Sequence, residues 1–391
     1  MKCSKLVLWS CLVAGGETGL LVSPAAAHGT SVGSSSGAAL LIFPAAAILF
    51  ALFLVLTHRK KGWSVLVTGG AGYVGSALVP KLLRQGHNVV VLDLFPDGKD
   101  IFKMYQGHEN LRQIRGDFTD PATLGSSLRG CDAVIHLACV TGRTECESGS
   151  GLAKATNLAA FGPLVDAAKS AGVKRFVFAS SLRHGGGGDQ PAPAGGSPLD
   201  ETGEFLEHKG QCEQLLEKAR SPGFIACTVR AAAVCGVAPS QRLDAGVNAL
   251  AWKGFNNGEI RITGGGRQKI PNIHVEDLAA FYLIVLNQPD ARIDGATCDA
   301  IAENLTCLEM AETVVLALGD DFLLHVEPGA DLGDPEPPCE VIDRGFGFEA
   351  NHSVADAVRE LVASFQDGNI VPSPKDLRHV ATETMQQVSR E

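Results

Sequence analysis

From residue 64 onward, short, mostly apolar runs of the length of buried strands alternate with stretches of helical spacing. Five runs are predicted strands: residues 64–68, 88–92, 111–115, 133–137 and 175–179. Two stretches have helical spacing: residues 76–85 and 157–171. Strands separated by helices are typical of a parallel sheet that crossover helices cover on both faces. The pattern therefore predicts an α/β fold with a doubly wound parallel sheet.

A glycine-rich turn joins the first predicted strand to the first predicted helix. From Gly69 to Gly75 the sequence is Gly-Gly-Ala-Gly-Tyr-Val-Gly. In this spacing Gly69 permits a tight turn, Gly72 lets the backbone approach a pyrophosphate, and Gly75 lets helix and strand pack closely. Free N–H groups at the helix start, including those of Tyr73 and Val74, would face the phosphates together with the positive end of the helix dipole. The turn predicts a dinucleotide site.

A carboxylate lies 24 residues beyond Gly69, at the end of the second predicted strand. There Asp93 can accept hydrogen bonds from the ribose hydroxyls of an adenosine. Its charge would repel a ribose 2′-phosphate, and no arginine follows it directly. The turn and this acid together predict a Rossmann-type domain that binds NAD in preference to NADP.

Two apolar stretches precede the predicted sheet. Residues 1–27 are basic, then apolar, then rich in small residues, which is the order of a signal peptide. Residues 37–57 carry no charge over 21 residues, which is enough for a helix to cross a hydrocarbon layer of ~30 Å. A basic cluster at residues 58–61 follows, and such clusters tend to stay cytoplasmic. We expect a single-pass transmembrane helix with a cytosolic folded domain; the alternative is a presequence removed on import into an organelle.

Charge and cysteine usage narrow the class of protein. The 391-residue chain has a net charge of −10, divided into +4 on residues 1–63 and −14 on the rest. The negative charge of the residues after 63 argues against nucleic acid as a partner, because phosphate binding needs clustered positive charge. Eleven cysteines are present without a Cys-x-x-Cys motif, and Cys139, Cys227 and Cys235 lie in apolar runs. This favours buried free thiols in a reducing compartment over disulfides. No metal site is indicated, because the histidines lack ligand spacing.

Further motifs follow the glycine turn along the chain. They are Gly116-Asp117 and residues 134–138, 175–181, 272–278 and 345–361. In this order they resemble the extended short-chain dehydrogenases/reductases of the NAD-dependent epimerase/dehydratase group, which act mostly on nucleotide sugars. The similarity covers about residues 64–375, and its colinearity makes chance agreement improbable.

The resemblance implies roles for individual residues. Asp117 would lie beside the adenine, and Ala138 would line the cofactor groove. Ser181 matches the hydroxyl residue that polarises the substrate oxygen. Lys209 matches the lysine of the catalytic Tyr-x-x-x-Lys motif, where it would bind the nicotinamide ribose, and Glu213 matches a frequent glutamate four residues later.

The catalytic motif departs from the family at its tyrosine. Phe205 stands four residues before Lys209, and none of the three tyrosines precedes a lysine at that spacing. A tyrosine would take the proton of a substrate hydroxyl as hydride leaves for NAD, whereas a phenyl ring has no titratable atom. General acid–base catalysis typically contributes ~10²–10⁴-fold, so activity by the usual route should fall greatly. The alternative is that the alignment with the family motif is displaced and Phe205 is an ordinary core residue, although Lys209 and Glu213 both match the motif at its spacing.

Three histidines are candidates for a catalytic group. His184 follows Ser181 in a segment rich in Gly and Pro, and it is the better candidate for a replacement base. His208 precedes Lys209 on a predicted helix, so it would point roughly 100° away from the lysine, and a solvated surface position is expected. His136 lies within an apolar strand and is expected to be a packed core residue.

The substrate-side sequence weakens the inference of nucleotide-sugar binding. Ala231 follows Arg230 where the family usually has Arg-Pro, and Ile270 precedes Pro271 where the family commonly has an arginine. Arg267 and Lys269 are nearby basic residues. Three functions stay open: an epimerase/dehydratase-like oxidoreductase acting on a nucleotide sugar or related alcohol, a catalytically silent NAD-binding sensor or scaffold, and a membrane-bound oxidoreductase similar to 3β-hydroxysteroid dehydrogenases.

The expected organisation follows from these segments. Residues 64–236 would form the NAD-binding domain with a contribution from 270–295. Residues 237–375 would be mainly the smaller substrate-binding portion, and residues 376–391 a tail. Family members often pair through two helices, so a homodimer is one expected state.

Overall fold

A computed structural model of the protein describes residues 62–96, 100–141, 151–182, 203–262, 264–319, 322–328, 346–370 and 372. The expected signal-like segment, the expected transmembrane helix at 37–57, His184 and the tail all lie outside these residues. Within the described part of the chain, no helix is long and apolar enough to cross a membrane.

Seven parallel strands form the main sheet, in the order β10-β6-β5-β4-β1-β2-β3. Their bounds are β1 Ser64–Thr68, β2 Asn88–Asp93, β3 Leu111–Arg115, β4 Ala133–His136, β5 Arg175–Ser181, β6 Ile225–Ala231 and β10 Thr297–Ala300. All five strands predicted from the sequence are present, and the fifth extends two residues further, to Ser181. The order reverses between β1 and β4, and in doubly wound sheets this position is where a ligand-binding crevice lies at the carboxyl ends of the strands.

Two smaller sheets lie outside the main one. β7 Ala233–Cys235, β9 Lys269–His274 and β11 Glu303–Thr306 form the first, and β8 Glu259–Ile262 pairs with β12 Leu323–Val326 in the second. β10 falls within the range expected to be mainly substrate-binding, yet it pairs with β6 in parallel register, Asp299 opposite Arg230. Residues 297–300 therefore belong structurally with the nucleotide-binding sheet.

The described residues include eight helices of at least eight residues: α1 Tyr73–Arg84, α2 Pro121–Leu128, α3 Phe161–Ser170, α4 Gly203–Ala219, α5 Gly246–Asn257, α6 Val275–Asn287, α7 Cys307–Leu318 and α8 Val354–Gln366. The first predicted helix begins three residues earlier than expected, at Tyr73, because Gly72 adopts an extended N-cap conformation. The second is divided: a π-helical turn, Ala155–Ala159, precedes α3.

The side chains of β1 alternate between two cores, which is why this strand is apolar throughout. Val65 and Val67 join a core built with α1 and α6. Leu66 points to the opposite face, into a core that includes residues of α2, α3 and α4. A third core unites α5, α7 and α8 with β7, β8 and β9. The main sheet is thus covered on both faces, and the C-terminal portion has a core of its own.

The cysteines of the described residues agree with the expectation of free thiols. Seven described cysteines are free, and six of them are buried. Cys227 and Cys298 come within 4.0 Å of each other through their sulfur atoms without forming a disulfide.

Candidate functional site

The glycine turn lies at the crevice, between β1 and α1. Gly69 has φ +72, a left-handed conformation that favours glycine, and an added Cβ would lie 2.6 Å from the Ala138 nitrogen. At Gly75 an added Cβ would lie 2.5 Å from the Gly70 Cα, so helix and turn are in close contact. A side chain at either glycine would therefore clash with the backbone, and Ala138 lies against the turn.

The start of α1 offers an open face for a phosphate group. Among the described residues other than its two chain neighbours, the only atom within 4 Å of a Cβ added at Gly72 is the Gly69 carbonyl oxygen, at 3.2 Å. No side chain caps the helix, and its first turn contains no acidic residue. The first backbone N–H groups of a helix lack intrahelical acceptors. Those of Tyr73, Val74 and Gly75 and the helix dipole therefore suit the pyrophosphate of a dinucleotide.

Asp93 is fixed beside this turn at the end of β2. One carboxylate oxygen accepts the Ala71 N–H at 3.0 Å, and the other accepts the Phe95 N–H at 2.9 Å. Each oxygen of a carboxylate can accept more than one hydrogen bond, so both can still accept from ribose hydroxyls. Asp117 lies exposed beyond β3, with Oδ1 accepting the Thr119 N–H at 2.8 Å. The residues present fit an adenosine ribose and a pyrophosphate.

A buried asparagine holds the segment that follows Ala138. Asn157 Oδ1 accepts the Val140 N–H at 2.7 Å, and its Nδ2 donates to the Val140 carbonyl oxygen at 2.9 Å. Asn157 lies in the π-helical turn, a feature often found at functional sites. Sequence spacing predicts only a helix start at this residue, because the break in helical geometry around it leaves no mark on the spacing.

Lys209 reaches the carboxyl end of β5 from α4. It is 5% exposed, and its Nζ donates to the Ala179 carbonyl oxygen at 2.7 Å. The same nitrogen lies 4.9 Å from the ring centroid of Phe178 and 5.4 Å from that of Phe205. Ser181 ends β5 two residues after Ala179. The structure therefore brings the predicted lysine to the strand end that carries the predicted serine, with the Phe205 ring beside it.

Glu213 connects α4 to two strand ends. It accepts a hydrogen bond from Ser180 Oγ at 2.5 Å. It also accepts from Arg230 through Nε at 3.0 Å and Nη2 at 2.6 Å, a bidentate ion pair. Beside this pair lies a cavity of about 430 Å³ that Ser181 also lines. Asp299 also lines this cavity, and burial raises the pKa of its carboxyl group. The sequence indicates Glu213 only through the family resemblance, since its partners Ser180 and Arg230 are too distant along the chain to form a local pattern.

His136 and His208, the two candidate histidines within the described residues, are both buried. His136 Nδ1 lies 2.6 Å from Thr68 Oγ1, and Phe161 and Phe178 are among the rings around it. Burial, with a smaller effect of the Lys209 charge, lowers its pKa to about 3, which confirms a packed core histidine. His208 was expected to be solvated, and that prediction is wrong. Its side chain is 6% exposed, with Nε2 3.6 Å from Glu204 Oε1, because this face of α4 is covered.

The substrate-side motif at 272–278 is buried except at the half-exposed Glu276, whereas the two basic residues before it are exposed. His274 caps α6, and its Nε2 lies 3.3 Å from Glu360 Oε2. Asp277 accepts the N–H groups of Asn351 and His352. Arg267 and Lys269 are exposed. The motif therefore joins α6 to the start of α8.

Comparison with known proteins identifies the family. The model of the NAD dependent epimerase/dehydratase family matches residues 65–298. A 3-beta-hydroxysteroid dehydrogenase of Mycolicibacterium neoaurum is 27% identical over 282 residues, covering 67% of this chain and 72% of that protein. A dTDP-glucose 4,6-dehydratase of Streptomyces niveus is 26% identical over 320 residues, covering 78% of this chain and 93% of that protein.

Solved structures share the fold. A UDP-N-acetylglucosamine 4-epimerase from Methanobrevibacter ruminantium superposes with a TM-score of 0.65 at 22% identity, over 79% of this chain and all of that one. MoeE5, solved with UDP-glucose and NAD, gives 0.63 at 24% identity, over 78% of this chain and all of that one. With the cofactor crevice in place and the family model matching more than half of its length, this chain belongs to the NAD dependent epimerase/dehydratase family, with NAD as its cofactor.

Proposed function

We propose that this protein is an NAD-dependent oxidoreductase that acts on an alcohol carbon of a nucleotide sugar or a related alcohol. The observation that carries the proposal is the position of Lys209. Its Nζ is held at the Ala179 carbonyl oxygen, two residues from Ser181 and at the same edge of the sheet as the glycine turn.

Each residue would have a defined part in this reaction. Bound NAD supplies the acceptor for a hydride from the substrate carbon. Ser181 would hydrogen-bond the substrate oxygen, and Lys209 would hold the nicotinamide ribose. Phe205 would occupy the place of the family's tyrosine, so the hydroxyl proton must pass to another acceptor. His184, outside the described residues, is the candidate for that acceptor, and a water molecule is the alternative.

A sterol-like alcohol is a second candidate substrate. Several of the sequence relatives are 3β-hydroxysteroid dehydrogenases, and the one from Mycolicibacterium neoaurum is 27% identical. The absence of an arginine immediately before Pro271 and the exposure of Arg267 and Lys269 also reduce the support for a phosphate-bearing substrate. The same Phe205 affects this reaction, because it needs the same proton transfer.

A catalytically silent NAD-binding protein is the alternative from another class. It is favoured by Phe205, which is 6% exposed and brings no titratable atom to Lys209. Such a protein would bind NAD as a sensor or scaffold.

The substitution Phe205→Tyr separates catalysis from silent binding. In an enzyme with an intact pocket, the new phenol next to Lys209 should raise turnover of a suitable alcohol by ~10²–10⁴-fold. UDP-, dTDP- and GDP-sugars and 3β-hydroxysterols would be tested by NADH absorbance. Phe205→Leu is the matched control and should give no gain. NAD binding without any gain in Phe205→Tyr on any of these alcohols would favour the silent protein.

We also propose that residues 37–57 anchor the protein in a membrane with the folded domain in the cytosol. The proposal is supported by the uncharged length of this stretch and the basic cluster that follows it. Alkaline extraction and protease protection of the full-length protein in membranes test it. Release by alkali, or protection of the folded domain from added protease, would contradict it.

A further inference from the structure

The hydroxyl of Tyr73 connects the cofactor turn to the substrate-side portion of the chain. Tyr73 is the first residue of α1, and its hydroxyl donates to the Gly236 carbonyl oxygen at 2.7 Å. The same oxygen accepts a hydrogen bond from Asn248 Nδ2, on α5, at 3.0 Å. Burial raises the pKa of Tyr73 well above its ordinary value. The hydroxyl therefore stays protonated and remains a donor.

Asn248 completes a closed set of hydrogen bonds. Its Oδ1 accepts the Gly236 N–H at 3.0 Å, and its Nδ2 also donates to the Arg242 carbonyl oxygen at 2.9 Å. Asn248 is 1% exposed. A buried polar group with its hydrogen bonds satisfied resists displacement, because an unmade bond in this environment is costly. The start of α1, the end of β7 and α5 are thereby held in one arrangement.

The ring of His274 lies close to Gly236. Its φ is +102, and an added Cβ would lie 2.2 Å from His274 Nε2. The His274 ring in turn stacks on that of His352, with centroids 4.5 Å apart, and its Nε2 lies 3.3 Å from Glu360 of α8. Gly236 therefore lies close to a group of side chains that reaches α8, the last helix of the described residues.

We propose that Tyr73 is a positioning residue that couples NAD binding to the order of the substrate-side segment 236–257. When the pyrophosphate fixes the start of α1, the Tyr73 hydroxyl fixes Gly236 and Asn248 in the same step. The coupling goes beyond the proposed reaction and needs only NAD binding, so it holds for an enzyme and for a silent NAD-binding protein alike.

Hydrogen exchange on the full-length protein tests this coupling. In the unsubstituted protein, saturating NAD should slow amide exchange both at residues 73–76 and at residues 236–257. In Tyr73→Phe, the slowing at 73–76 should remain, whereas the slowing at 236–257 should be lost. Equal slowing of 236–257 in both proteins would overturn the proposal. So would protection confined to 73–76 in the unsubstituted protein. Since turnover is not measured, failure of the proposed reaction leaves this result unaffected.

Two further variants separate coupling from a general loss of stability. Tyr282→Phe removes the hydroxyl of another tyrosine, 1% exposed on α6, and should leave the NAD-induced slowing at 236–257 intact. Asn248→Ala should abolish that slowing as Tyr73→Phe does. The double variant Tyr73→Phe/Asn248→Ala should lose no more of the NAD-induced slowing at residues 236–257 than either single variant does. Independent, additive losses would contradict a single coupled set of hydrogen bonds.

Discussion

The ammonium nitrogen of Lys209 lies 5.4 Å from the ring centroid of Phe205, which stands one helical turn earlier on α4. A lysine in this position would lower the pKa of a phenol. A phenyl ring offers it only cation–π attraction, worth about 0.5–2 kcal/mol. The hydrogen bond from Nζ goes instead to the Ala179 carbonyl oxygen. Lys209 is therefore held at the carboxyl end of β5, next to a side chain at position 205 that has no ionisable proton.

Replacing Lys209 should weaken NAD binding. Lys209→Met removes a charged donor whose hydrogen bonds are worth about 1.5–3 kcal/mol, so we expect the Kd for NAD to rise at least tenfold. Titration calorimetry measures it. Lys218→Met, at an exposed position on the same helix, is the control and should leave the Kd unchanged. An unaltered Kd in Lys209→Met would mean that the lysine does not touch the cofactor.

Two helical glycines should respond oppositely to alanine. At Gly75 the new Cβ would lie 2.5 Å from the Gly70 Cα and carbonyl oxygen, so overpacking should lower the free energy of unfolding by about 1–3 kcal/mol and weaken NAD binding. At Gly125, in α2, no described atom lies within 4 Å of the new Cβ apart from its chain neighbours and the backbone of its own helix. Gly125→Ala should therefore stabilise the protein by about 0.5–1 kcal/mol. Urea unfolding of both variants gives the comparison, and equal effects would contradict the close turn.

Asp93 should set the preference between the two dinucleotides. Asp93→Asn keeps the size of the side chain but removes the charge that repels a 2′-phosphate, so the ratio of NADP to NAD affinity should rise about tenfold, or ~1.4 kcal/mol. Asp100→Asn removes the same charge at an exposed position and should not alter the ratio. A ratio that stays constant in Asp93→Asn would place the adenosine ribose elsewhere.

Burial of His136 should make the fold sensitive to acid. Its pKa is lowered to about 3 from an ordinary value of 6.5, so the unfolded state binds a proton that the folded state excludes. Above pH 6.5, His136 should therefore not lower the free energy of unfolding. Between about pH 6.5 and 3, that free energy should fall by ~1.4 kcal/mol per pH unit. Unfolding free energies measured from pH 7 to 5 test this. His136→Asn should show a shallower slope, and identical slopes would remove His136 as the cause.

Local sequence patterns predicted the strands and the cofactor turn because their causes are local. The observed bounds of β1, Ser64–Thr68, are those predicted, since an apolar run followed by glycines admits few conformations. The same holds for β2 and the acid that ends it. The start of α1 was missed by three residues, because Gly72 can serve as an N-cap and nothing in the sequence excludes it.

What the sequence could not predict depends on contacts between distant segments. His208 is buried because α4 is covered on that side, and helical spacing alone does not show what covers a helix. Glu213 meets Arg230 only when β6 lies beside β5. Asn157 and the Tyr73 hydroxyl have partners 17 and 163 positions away. Their hydrogen bonds exist only in the folded chain, so these roles are visible only in the structure.

Binding of NAD and NADP to the full-length protein, measured by titration calorimetry, is the most direct test of the cofactor crevice at Gly69–Gly75 and Asp93. We predict saturable binding of one NAD per chain, with NADP weaker because of Asp93. Absence of binding for both dinucleotides, or tighter binding of NADP, would contradict it.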